Sequence, residues 1–227
     1  MVATRELVSF PKSGRTWLRY ALTLAGVADQ IHFHHDGFEY NDGARPPLDF
    51  NFEARLERAS RVDRIVYLHR DPRDVMVSLF HQVTGRFKDF FNYQGSLSDF
   101  LRDPYFGARN LAEFQRQWDE ICARGRILRI TYEQCHTQFA AVLGSVLEYY
   151  ELRPTGMSLE RLAQDSTFQR MREVEEMSIF EQPWLRARNG AFKVRRGVVG
   201  GFGDELGTAD IALLNELFSP VTTGLPR

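Results

Sequence analysis

Short apolar runs alternating with amphipathic stretches predict an α/β protein of three layers, a mostly parallel sheet flanked by helices. Three observations carry this expectation. Arg64 to His69 is an apolar run without alternation, the pattern of a strand buried on both faces. Phe139, Val142, Leu143, Val146, Leu147 and Tyr150 recur at helical spacing. The 227 residues, 43% of them hydrophobic, suffice for one sizeable core, so a single domain over residues 1–227 is expected.

The first predicted strand is Glu6 to Phe10. A tight basic loop follows, Pro11-Lys12-Ser13-Gly14-Arg15-Thr16-Trp17, then a helix from Leu18 to Ala25 closed by Gly26. Residues 31–37 read as a short strand at an edge of the sheet. Gly37 to Leu48 is a loop punctuated by Asn41-Asp42-Gly43 and Pro46-Pro47, and Phe52 to Ala59 a surface helix. After the strand Arg64 to His69, Asp71 is the expected cap and Pro72 the first residue of a helix reaching about Gln82, with Asp74 three after the cap. The aromatic stretch 85–107 is expected to be irregular, with a short helix from Leu97 to Arg102, and to pack internally rather than form a lid. Asn110 is the expected cap of the next helix, and Arg126 to Tyr132 a further strand. Past the break at Pro154-Thr155-Gly156, short helices are expected after Ser158 and Thr167. A glycine-rich basic loop from Asn189 to Gly203 and a final helix from Thr208 to Phe218 complete the chain.

A net charge of −1 gives no global drive toward nucleic acid or an anionic membrane. No run of 18 apolar residues exists, so no membrane span is expected. The N-terminus lacks the apolar core of a signal peptide. Cys122 and Cys135 lack metal-binding spacing, and a reduced cytoplasmic setting is the default. No acidic cluster has the pattern of a metal cage, and no metal is expected.

The first loop has the makings of an anion site. Strand, tight turn and helix N-terminus present free backbone N–H groups and a partial positive charge. Lys12 adds a full charge, Ser13 and Thr16 add hydroxyls, and Trp17 adds a surface for stacking. The loop is not a Walker A box, because no glycines lead up to the lysine. Strand-end Arg70 can fork onto a phosphate, with Ser78 two turns into the following helix; pairing of Arg70 with Asp71 or Asp74 is the structural alternative. From Gln182 to Gly203 there are five basic residues and no acid, and the glycines there let the backbone approach an anion.

Pro-Lys-Ser-Gly-x-Thr-Trp resembles the 5′-phosphosulfate loop of the sulfotransferases that use 3′-phosphoadenosine 5′-phosphosulfate (PAPS). Tyr67 to Ser78 resembles their 3′-phosphate motif, and Arg195-Arg196-Gly197 their C-terminal Arg-Lys-Gly segment. Arg129-Ile130-Thr131-Tyr132-Glu133 and Ser166 to Met171 are similar to their adenine-contacting segments. The resemblance implies a P-loop-NTPase-like sulfotransferase fold and PAPS as sulfonate donor. It assigns Lys12, Ser13, Gly14, Arg15, Thr16 and Trp17 to the 5′ end, and Arg70, Ser78, Arg195, Arg196 and Gly197 to the 3′-phosphate. Tyr132 and Phe168 fall to the adenine, Phe168 stacking opposite Trp17. Two departures stand out: Arg15 replaces the usual threonine, and Gly201-Phe202-Gly203 stands where Asp-Trp-Lys is common.

Lys12 is then the group that stabilises the leaving oxygen, and the family's histidine base falls in His32 to Asp36. Alignment by strand end favours His35, with His34 second and His69 and His81 as alternatives. Asp36 could orient that imidazole or raise its pKa. The acceptor, a small molecule or carbohydrate, and the oligomeric state stay open. A P-loop-type small-molecule kinase is the main rival, though it calls for Walker A glycines and a strand-end aspartate. A non-catalytic module binding the product PAP, adenosine 3′,5′-bisphosphate, is the other.

Overall fold

The computed structural model describes residues 3–40, 45, 47–180 and 182–219. Four parallel strands form the sheet: β1 (Arg5–Val8), β2 (His32–His34), β3 (Arg64–His69) and β4 (Leu128–Thr131), in the order β2-β1-β3-β4. β3 lies between β1, where Leu7 registers with Val66, and β4, where Leu68 registers with Ile130. Residue alternation splits its side chains between two cores. Val66 and Leu68 pack with Leu7 against α1 (Arg15–Leu24), α7 (Tyr132–Tyr149) and α8 (Leu159–Asp165). Ile65 and Tyr67 pack with Val8 on the other face, against α3 (Pro72–His81), α5 (Leu97–Arg102), α6 (Ala108–Arg124) and α10 (Thr208–Phe218). Helix α2 (Phe52–Ser60) adds Ala59 to this second core. The three-layer expectation holds, and every strand ends toward the same rim.

Several boundaries differ from the sequence expectation. Helix α1 starts at Arg15, so Thr16 and Trp17 belong to its first turn; Gly14, with φ 100°, makes the bend. Strand β4 stops at Thr131, whose hydroxyl caps α7, and Tyr132 is therefore helical. Asn110 does not cap α6. Gly107 does, and the Asn110 amide instead donates to the carbonyls of Pro104 and Tyr105. The stretch after α3 holds a π-helical turn, Gln82–Arg86, and a short helix α4 (Lys88–Phe91) that the pattern did not reveal. Phe87, Phe91, Phe100 and Phe106 there are buried in the core, so internal packing holds. Asp71 caps α3 through the Arg73 N–H, and Ser158 and Thr167 cap α8 and α9 (Phe168–Met177), as expected. Residues 41–44 and 46 of the predicted loop lie outside the described residues.

Candidate active site

A cleft of about 140 Å³ opens beyond the C-terminal ends of β1 and β3, where ligands bind in open parallel sheets. It is lined by Lys12, Gly14, Arg15, Thr16 and Trp17 from the first loop and α1, by Arg70, Asp74 and Ser78 around α3, and by Tyr132 and His136 from α7. Phe168 and the segment from Lys193 to Val198 close it. Among the described residues, six cationic side chains therefore face one cavity against a single carboxylate, Asp74. Burial and the neighbouring cations hold the Lys12 ammonium well below the usual lysine range. The same causes bring Lys193 down to about 7. Such a concentration of like charge is suited to a polyanion.

Lys12 adopts a left-handed backbone, φ 72°, a conformation that costs a non-glycine residue roughly 1–3 kcal/mol. The Arg70 guanidinium holds it there by donating to the Lys12 carbonyl at 3.0 Å. Arg70 also donates to the Val198 carbonyl at 3.2 Å and lies 4.0 Å from the centre of the Tyr132 ring. It pairs with Asp74 at 3.7 Å rather than with Asp71, which binds Arg73. One strand-end arginine thus ties the first loop to the C-terminal segment. Helix α1 has no side-chain cap, so its first amides are left for a ligand.

Phe168 opens α9 directly after the Thr167 cap, and Trp17 lies one face against Phe139, 4.4 Å away and nearly parallel. Both aromatics line the cleft without touching each other across it. Gly197, φ 64°, comes so close to Phe168 that a Cβ would fall 1.9 Å from its Cδ2.

The basic segment is pinned by acids that sequence reasoning had not assigned to it. Asp74 accepts the Gly200 and Phe202 N–H groups at 2.8 and 3.1 Å. Buried Glu175 accepts those of Lys193 and Val194 at 2.5 and 2.9 Å. Arg195 pairs with Glu205 at 2.9 Å and Arg196 with Asp204 at 2.5 Å, while His81 also binds Glu205.

Of the candidate bases, His35 alone reaches the cleft. Its Nδ1–H donates to the Ser9 carbonyl at 2.7 Å, which fixes the tautomer and leaves Nε2 unprotonated. Burial, together with the Arg15 charge, pushes its pKa well below 6.5. Asp36 does not orient it and does not raise its pKa: that carboxylate is committed to Arg55, Arg58 and the indole of Trp118. His34 points elsewhere, because adjacent residues leave a strand in opposite directions. Its Nε2 meets Glu6 at 3.0 Å, and its Nδ1 accepts the Asp36 N–H at 3.1 Å. His32 joins these two in a cluster whose potential ligand atoms lie within 4.8 Å. The Asp36 bond, however, places the neutral His34 proton on Nε2, the atom facing Glu6. His69 does not line the cleft, and Ser13 is buried behind it, its N–H bonded to Phe10. Arg15, whose direction the sequence left open, is mostly buried and faces Glu39 at 3.9 Å.

His136, Met171 and Lys193 line the cleft without having been singled out. His136 had one available signal: it stands four residues after Tyr132, on the same helical face.

The fold and the cleft define an α/β protein with a cation-lined cleft across the carboxyl ends of parallel strands. The chain belongs to the sulfotransferase domain family, whose model matches residues 54–226. The first loop and His35 precede that matched range. Human sulfotransferase 2B1 is 27% identical over 169 residues, covering 72% of this chain and 45% of that protein. Chimpanzee sulfotransferase 6B1 is 25% identical over 164 residues, covering 71% and 51%. The chain spans about half the length of the curated relatives it matches. Among solved structures, mouse sulfotransferase SULT7A1 complexed with PAP superposes with a TM-score of 0.66 at 18% identity, covering 96% of this chain and 83% of that one. Retinol dehydratase in complex with androsterone and the inactive cofactor PAP gives 0.61 at 15% identity, covering 95% and 80%. These likenesses establish the shared fold. No helix among the described residues is long and apolar enough to cross a membrane.

Proposed function

We propose that this chain is a single-domain, cytoplasmic sulfotransferase that moves a sulfonate group from PAPS to a hydroxyl or amine of a small-molecule or carbohydrate acceptor. One observation carries the reading: Lys12 and the unprotonated Nε2 of His35, which lies 3.9 Å from Glu39, converge on the same cation-lined cleft. Solved relatives bound to PAP support the donor's identity.

The reaction needs alignment, charge neutralisation on the leaving oxygen and removal of one proton. The α1 amides and Thr16 hold the 5′-phosphate, and Arg70, Ser78, Arg195 and Arg196 hold the 3′-phosphate. Arg195 and Arg196 exchange their carboxylate partners for phosphate oxygens as they do so. Trp17 offers the ring face turned away from Phe139 to the adenine, with Phe168 opposite. His35 Nε2 takes the acceptor proton as the acceptor oxygen or nitrogen bonds to sulfur. The bond from sulfur to the phosphate oxygen breaks, and Lys12 neutralises the charge left on that oxygen. No step is routed through a metal.

Sulfonate-labelled PAPS supplied with alcohols, phenols, amines and sugars tests this, with ATP and magnesium in a parallel arm. Labelled acceptor is expected only with PAPS, and Lys12→Ala should cut turnover by about 100-fold or more with a smaller loss of donor affinity. Phosphorylated acceptor from ATP would indicate a kinase. PAP binding without transfer to any acceptor would indicate a binding module.

A further inference from the structure

A second cavity adjoins the first and shares Arg15, Thr16 and Lys193 with it. Its remaining walls include Arg19, Arg86, Arg186 and Arg188 together with the rings of Phe87 and Trp184. Six cationic side chains line it, and no carboxylate does among the described residues. Part of this charge is structurally answered from outside the cavity: Arg86 by Glu175 at 3.6 Å and Arg188 by Asp89 at 2.8 Å. Arg15 meets Glu39 through Nη2 at 3.9 Å, but its other terminal nitrogen and two further groups are not answered in that way. The Arg19 guanidinium lies between the rings of Phe33 and Trp184, 5.0 and 4.7 Å from their centres, with no carboxylate of a described residue at ion-pair distance. Buried Arg15 Nη1 has no hydrogen-bond partner. The Lys193 ammonium feels Glu175 and Glu39 only from beyond ion-pair distance, among the described residues.

Buried donors in a folded protein are normally satisfied, and a guanidinium has only donors to offer. Unanswered donors of one sign around a cavity with aromatic walls therefore describe an absent anion carried on a ring. The donor's phosphates do not account for it, because Arg19, Arg86, Arg186 and Arg188 line the second cavity and not the donor cleft.

Resting on the sulfotransferase reading above, we propose that the second cavity receives the acceptor, and that the acceptor is itself an anion. It carries a carboxylate, sulfate or phosphate in addition to the hydroxyl or amine that takes the sulfonate. The anionic group binds Arg19, Arg15 and Lys193, a ring lies against Trp184, and the nucleophile is directed toward the shared boundary and His35. Arg15, foreign to the usual loop sequence, acquires a role at that boundary. Burial, opposed only by Glu39, brings Arg15 down to about 10, and a bound anion would reverse that shift.

The test is calorimetric titration of the whole chain with phenyl phosphate and with benzyl alcohol, each with and without saturating PAP. Phenyl phosphate is expected to bind the PAP-loaded protein saturably, to weaken as salt is raised, and to bind about tenfold or more tighter than benzyl alcohol. Arg19→Gln should remove that advantage while PAP affinity, which also reports correct folding, is unchanged. Arg188→Gln, at an exposed ion pair, gives a second variant with a smaller loss. With labelled PAPS, 4-hydroxyphenylacetate should exceed its methyl ester about tenfold in kcat/KM. Equal binding of the charged and neutral probes, or no binding of phenyl phosphate once PAP is bound, would overturn the proposal and leave the donor reading intact. Failure of PAP to bind would instead remove the donor reading, and the PAP-free titration would then decide the cavity by itself.

Discussion

A Cβ added to Gly14 would lie 2.4 Å from Cδ2 of Tyr132, and Gly14 has a φ of 100°. The turn that aims the first loop at the cleft therefore depends both on a conformation closed to side chains and on the space beside an aromatic wall. Gly14→Ala is expected to lower stability by about 1–3 kcal/mol and to abolish PAP binding. Thermal unfolding and calorimetry check this. Adding Tyr132→Ala should relieve the contact but not the backbone strain, so recovery would be partial; full recovery would locate the whole cost in the contact.

His35→Ala should lower kcat by about 10²–10⁴-fold with PAP affinity retained, whereas His34→Ala should leave kcat near that of the parent. A base works when deprotonated, so its activity is lost as pH falls through its pKa. Since His35 is held well below 6.5, the acid limb of kcat/KM for the donor should lie below pH 6.5. A limb at 6.5 or higher would assign the proton to another group.

Lys193, brought down to about 7, should make anion binding depend on pH. Its charged form, which favours PAP, prevails below that value. Affinity should fall as pH rises through 7, by at most about tenfold per pH unit for one proton. At pH 8, binding should take up protons, which calorimetry in buffers of different ionisation enthalpy measures directly. Lys193→Arg, which stays charged, should flatten the fall above pH 7. Lys12, held low by burial and the same cations, should add to it.

Asp36 anchors buried Arg55 and the indole of Trp118 at 2.9 Å. Asp36→Ala leaves a buried guanidinium without its carboxylate and should cost about 3–5 kcal/mol in urea unfolding. The pH dependence of kcat/KM should keep its shape, because Asp36 does not touch the His35 ring. A displaced acid limb would restore the orienting role that the sequence suggested.

Much of the cleft was legible in the chain. Arg70, Ser78, Phe168 and the Arg195 to Gly197 segment lie on it, because strand ends and helix starts carry local signals: an apolar run, a cap, a proline at the first helical position. Trp17 and Tyr132 also reach it, although both stand in helices. There the capping groups, Gly14 and Thr131, shifted the boundary by a few residues without turning the side chains away. Ser13 and His34 did not reach it. A one-residue step reverses direction in extended backbone, and no pattern in His32 to Asp36 told which imidazole would find the Ser9 carbonyl.

The order of strands and helices, the capping of α3, α8 and α9, and the cationic loops at strand ends were determined by local sequence, because each rests on contacts between residues a few positions apart. Only the tertiary structure decided which histidine faces the cleft, that Asp74, Glu175 and Glu205 anchor the basic segment, and that Arg19, Arg86 and Arg188 share one cavity. Those relationships join side chains many positions apart, through the charge and desolvation of groups that meet only when the sheet and its helices have packed.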